Sequence, residues 1–171
     1  MGLIINSLID AGFAAVAGLG FAFGCNPPKR TIFASAILAA IAHGVRFYLQ
    51  QSGFGITSAT FFAALIVGVV GFLCAKKLKT PTEIITFPAI LPMIPGMFAY
   101  RTILSIVSFS SESDLELQGR LLVNLTNNLI TTISVSLAIA IGISLSLVIF
   151  YEQSFMMTRK SVNENLREIL K

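Results

Sequence analysis

Charge is what this sequence has least of. Only 12% of its 171 residues are Asp, Glu, Lys or Arg, about half the ~25% of ordinary soluble proteins, while 55% are hydrophobic. The few charges are clumped between long uncharged runs, which is the pattern of membrane spans rather than of a large soluble core. Histidine is present once, at His43, and cysteine twice, at Cys25 and Cys74. Without Cys-x-x-Cys or His-x-x-x-His spacing no metal site is expected, and two thiols at helix ends on the cytoplasmic side predict no disulfide. Gly-rich phosphate loops, serine elbows and paired zinc ligands are all missing, so the chain reads as neither an enzyme nor a cofactor carrier. The net charge of +4 lies mostly in short loops and the tail. It therefore speaks of topology and excludes a nucleic-acid partner. No Lys or Arg precedes the apolar run from Leu3, so that run lacks the basic start of a signal peptide and is expected to stay as a helix.

What is there is helix-length hydrophobicity. The sequence predicts an all-α integral membrane domain over residues 1–151, with five spans at about 3–24, 31–49, 56–75, 82–109 and 121–150. A charged cytoplasmic tail, 152–171, follows. Small residues four apart mark faces for close helix approach: Ala14/Gly18 and Gly20/Gly24, Ala59/Ala63 and Ala64/Gly68, and the stripe Ser134, Ala138, Gly142, Ser146. If five spans alternate, Lys29, Arg30, Lys76, Lys77, Lys79, Arg159, Lys160, Arg167 and Lys171 share one side and only Arg120 falls in a loop opposite. The positive-inside rule then puts the N-terminus outside and the C-terminus in the cytoplasm. The basic tail is read as meeting anionic lipid.

The fourth span is the unusual one. From Phe87 to Arg101 three prolines, Pro88, Pro92 and Pro95, interrupt an apolar run, and Gly96 follows the last. Each proline removes a backbone donor, and Gly96 is free to take positive φ, so the predicted helix is broken. Inside a membrane such a break is either a kink packed among helices or a site lining a water-filled path.

Counted at about 1.5 Å per residue, the polar groups within the spans fall in one outer layer near the break. Asp10 in the first span and His43 in the second are at similar depth, with Arg46 one turn beyond. Arg101 lies past the break, and Asn124, Asn127 and Asn128 open the fifth span. Asp10 is either a structural ion-pair partner of His43 or Arg46, or part of a proton relay with His43. Arg46 either snorkels to the surface or, with Arg101, grips a carboxylate. The asparagines are helix glue or neutral substrate ligands. Pro92, Pro95 and Gly96 would open backbone to the substrate. A non-transporting scaffold that uses its small-residue stripes only for assembly is the rival reading.

The run Leu91-Pro92-Met93-Ile94-Pro95-Gly96-Met97-Phe98-Ala99-Tyr100 resembles the Pro-x-x-Pro-Gly-x-x-x-Tyr signature of the threonine/serine exporter family. Asn26-Pro27-Pro28-Lys29-Arg30, Ala42-His43-Gly44-Val45-Arg46 and Leu125-Thr126-Asn127-Asn128 extend the likeness over nearly the whole chain. It is most similar to the small membrane subunits of two-component succinate exporters. The resemblance implies a half-size, C-terminal-half subunit in the inner membrane. It implies a second membrane subunit that carries the N-terminal half, a pair open to further oligomerisation, and a small organic acid or amino acid as substrate. The charged tail after Tyr151 departs from the smallest members.

Overall fold

The computed structural model describes residues 2–150, and the charged tail expected at 152–171 lies outside them. Among these residues every regular element is helical. Three long helices come first: α1 (Gly2–Cys25), α2 (Lys29–Gln51) and α3 (Ile56–Leu78). Then α4 (Glu83–Ile90), a single 3₁₀ turn (Leu91–Met93) and α5 (Gly96–Ser111) make up the broken segment, and α6 (Leu115–Ile149) closes the chain. Among the described residues four helices are long and apolar enough to cross a membrane. With α4 and α5 counted as one bent span, there are five.

The connections are set by local chemistry. Pro27 and Pro28 end α1, and Asn26 takes φ 49° there. Lys79 takes φ 49° as the left-handed cap of α3. Asp114 caps α6 by accepting the N–H of Glu116 at 3.0 Å, and Glu112 Oε1 accepts those of Ser113 and Asp114. That tight acidic link folds α5 back on α6 as a hairpin.

Packing follows the small residues. On α1, Ala14, Gly18 and Ala22 are buried, and a Cβ at Gly18 would lie 2.7 Å from Ala39 Cβ on α2. Gly20 and Gly24 approach nothing among the described residues, so the second pair predicted on α1 packs against none of them. On α3, Ala59, Ala63, Ala64 and Gly68 are all buried. The stripe on α6 meets them in parallel. Ala138, Gly142 and Ser146 are buried, Ser146 Oγ donates to the Leu65 carbonyl at 3.0 Å, and a Cβ at Gly142 would stand 2.9 Å from the Phe61 carbonyl oxygen. Lipid supplies no hydrophobic drive between helices, so such close contacts and hydrogen bonds hold the seam.

The core joins Leu38, Ala39 and Ala42 of α2 with Ala63 and Val67 of α3, Ile85 and Ala89 of α4, Met93, and Val135 and Ile139 of α6. None of its residues comes from α5. That helix bends 48° from the axis before the break, and its one extensive packing partner is α6.

Candidate functional site

The break itself is built by its prolines. Pro88 is absorbed within α4. Pro92 tightens the chain into the 3₁₀ turn, and Ile94, preceding Pro95, is forced to an extended ψ of 134°. Pro95 then forms an inverse γ-turn at φ −77°, ψ 51°, in which Gly96 N–H donates to the Ile94 carbonyl at 2.8 Å. Gly96, free to take positive φ, does not take it, because proline makes the turn and the glycine simply starts α5 with open space around it.

The turn leaves the Met93 carbonyl without a helical donor, and Arg46 supplies one: Nη1 donates to it at 3.2 Å. The other end of the guanidinium, Nη2, lies 3.4 Å from His43 Nδ1. The same Nδ1 lies 3.1 Å from Asp10 Oδ2. His43 is buried, its Nε2 is enclosed with no partner among the described residues, and Arg46 and the Asp10 carboxylate are half-buried. An imidazole nitrogen has one in-plane site, so Nδ1 either donates to Asp10 or accepts from Arg46. The proton's position thus selects which neighbour His43 holds.

Arg46 also faces a cavity of about 160 Å³, which Ile56, Met93, Pro95, Gly96 and Val135 help to line. Two helices begin there. The first turn-closing bond of α5 runs from Ala99 N–H to the Pro95 carbonyl, and that of α3 from Ala59 N–H to the Gly55 carbonyl. Gly96 N–H is spent on the Ile94 carbonyl, so the first-turn N–H groups without a helical acceptor are those of Met97 and Phe98 on α5 and of Ile56, Thr57 and Ser58 on α3, at the positive ends of both helix dipoles. An arginine, two helix N-termini and a bared carbonyl suit a small molecule with a carboxylate and a polar substituent.

The structure thus brings together Asp10, His43, Arg46, Pro92, Pro95 and Gly96. It sets four other expected residues apart. Arg101 is exposed one turn outward of Met97, on the same face, and makes no hydrogen bond or ion pair among the described residues. Asn124 and Asn127 are exposed on α6, and Asn128 Nδ2 turns back to the Asn124 carbonyl at 2.7 Å. Sequence reasoning missed the Met93 carbonyl as Arg46's acceptor, and it began the third span at Ile56 without assigning that helix start to the site. Backbone groups have no letter in the sequence, and only the Pro-x-x-Pro spacing signalled a bared carbonyl.

No solved structure matches the chain. A family model described as "Threonine/Serine exporter, ThrE" matches residues 10–149, which takes in the Asp10–His43–Arg46 cluster and the break. This multi-pass membrane protein belongs to the threonine/serine exporter family.

Proposed function

We propose that the chain is one half of a secondary exporter for small carboxylate-bearing metabolites, threonine and serine or a dicarboxylate such as succinate. It works in the inner membrane with a second subunit, its N-terminus outside and its C-terminus in the cytoplasm. The observation that carries this reading is Arg46 at the cavity of the helix break. Its guanidinium can leave the Met93 carbonyl for a substrate carboxylate and bind it through two parallel N–H bonds, with the open N–H groups of α5 and α3 beside it. Asp10 and His43 exchange the coupling proton. Because Arg46 and Asp10 compete for one nitrogen of His43, substrate arriving at Arg46 alters which proton arrangement is favoured. The polar cluster thereby links binding to the ion gradient.

The test is outward flux of labelled threonine and labelled succinate from cells that express both subunits, either subunit, or neither. The reading expects export of at least one substrate only when both are present. Unchanged flux of both overturns it and returns the scaffold reading.

A further inference from the structure

The exporter reading leaves α5 and the outer half of α6 unexplained. On α6 every buried residue lies at or beyond Val135, and on α5 only Thr102 and Ser105 are buried. Along α5 and the outer half of α6 the hairpin therefore stands as two helices with no third packed closely on them among the described residues. Apolar side chains such as Ile103, Leu104, Val107, Leu122 and Ile130 are exposed on it. Taken alone, that surface could face lipid.

Its polar groups cannot. Arg101 is the only ionisable side chain that could carry fixed charge between Ile84 and Ser111, and it lies ten residues, roughly 15 Å, from the outer end of α5. On α6, Asn124, Asn127, Thr131 and Ser134 recur at three and four residues and so share a face. Thr131 bonds to its own helix. The guanidinium of Arg101 and the amides of Asn124 and Asn127 find no partner among the described residues. Acyl chains offer none either, and charged and amide groups in spans face protein or water.

We infer that this hairpin is the arm by which the chain holds the exporter's other half, a different chain that presents a carboxylate from a membrane helix at the level of Arg101. This rests on the two-subunit reading above. A second copy of this chain does not fit the charge. Among the described residues, Asp10 is engaged with His43, Glu116 pairs with Arg120, Glu112 and Asp114 bind backbone N–H groups in the hairpin link, and Glu83 stands at the start of α4. None lies on α5, so a copy related by an axis along the membrane normal would set arginine level with arginine. The amide and hydroxyl row of α6 completes the surface with neutral donors and acceptors, suited to a polar helix face.

The test uses Ile103→Cys and Val107→Cys on α5, with Phe33→Cys on α2 as control, each in a Cys25→Ser, Cys74→Ser background. Each variant is labelled with maleimide–benzophenone and illuminated in membranes containing the other half, and adducts are identified by mass. The arm predicts adducts with the other half from both α5 positions and none from Phe33→Cys. It further predicts that Arg101→Glu lowers adduct yield tenfold or more at equal protein level, while Arg101→Lys preserves it. Adducts with a second copy, adducts with lipid alone, or adducts with the other half from Phe33→Cys only would each overturn the proposal. Full adduct yield from Arg101→Gln with a raised KM would also overturn it, by assigning Arg101 to substrate. If the adducts appear as predicted while flux is absent, the exporter reading fails and the arm stands.

Discussion

At the scale of single residues, Arg46 is held between two acceptors, one of which, His43 Nδ1, cannot serve both Arg46 and Asp10. Arg46 donates to the Met93 carbonyl at 3.2 Å and lies 3.4 Å from His43 Nδ1, leaving donors for a ligand in the cavity. Arg46→Ala removes charge-assisted hydrogen bonds of about 1.5–3 kcal/mol, so substrate affinity is expected to fall roughly tenfold to a hundredfold. Arg46→Lys is expected to recover only part of it, because an ammonium cannot grip a carboxylate bidentately. Equilibrium binding to the purified two-subunit exporter checks both. Asp10→Asn keeps the shape of the cluster and removes its titration. Exchange of internal for external substrate should persist in that variant, while net flux driven by an imposed pH gradient is lost. Equal loss of both activities would mean that Asp10 only supports the fold. The position of each of these residues was legible in the sequence, as were their types. Their pairing was less so: Asp10 and His43 are 33 residues apart, and periodicity on one helix says nothing about which face of another it meets.

At the scale of elements, the chain separates a seam from a break. The α3–α6 seam has no slack. A methyl at Gly142 meets the Ala64 Cβ at 2.8 Å and a backbone oxygen at 2.9 Å, and backbone cannot move aside as a long side chain can. Gly142→Ala is therefore expected to destabilise the protein by about 1–3 kcal/mol, seen as a lower melting temperature in detergent. Ser146→Ala removes one interhelical bond and should cost only about 0.6 kcal/mol by the same measurement. The break behaves differently, because its residues shape a cavity more than they hold the fold. The double variant Pro92→Ala, Pro95→Ala restores backbone donors and lets the helix run on, which withdraws the Met93 carbonyl from Arg46. Normal insertion with flux per molecule reduced roughly tenfold, about 1.4 kcal/mol, is the expected result. Prolines and the stripe of small residues were readable because both act through backbone geometry that the residue type itself dictates. The freedom read at Gly96 goes unused, because Pro95 has already turned the chain.

At the scale of the whole molecule, the orientation proposed from the distribution of cations is tested by labelling. Native Cys25, exposed at the end of α1, should stay unlabelled by a membrane-impermeant maleimide in intact cells. Ser113→Cys, in the link between α5 and α6, should be labelled in a background lacking both native cysteines. The reverse pattern would invert the topology and move the cavity to the cytoplasmic half. By itself the sequence determined that this is an all-helical membrane protein of four or five spans with a proline-broken segment before the last, since span length, composition and proline content act locally on each segment. Only the tertiary structure decided which polar residues meet. Arg46 turns toward Asp10, His43 and a bared carbonyl, whereas Arg101 leaves on α5, bent 48° from the segment before the break. The cause is physical: depth along a helix follows from counting residues, but the lateral position of a side chain depends on how whole helices tilt and pack. Small-residue seams permit that packing without naming the partner each face will find.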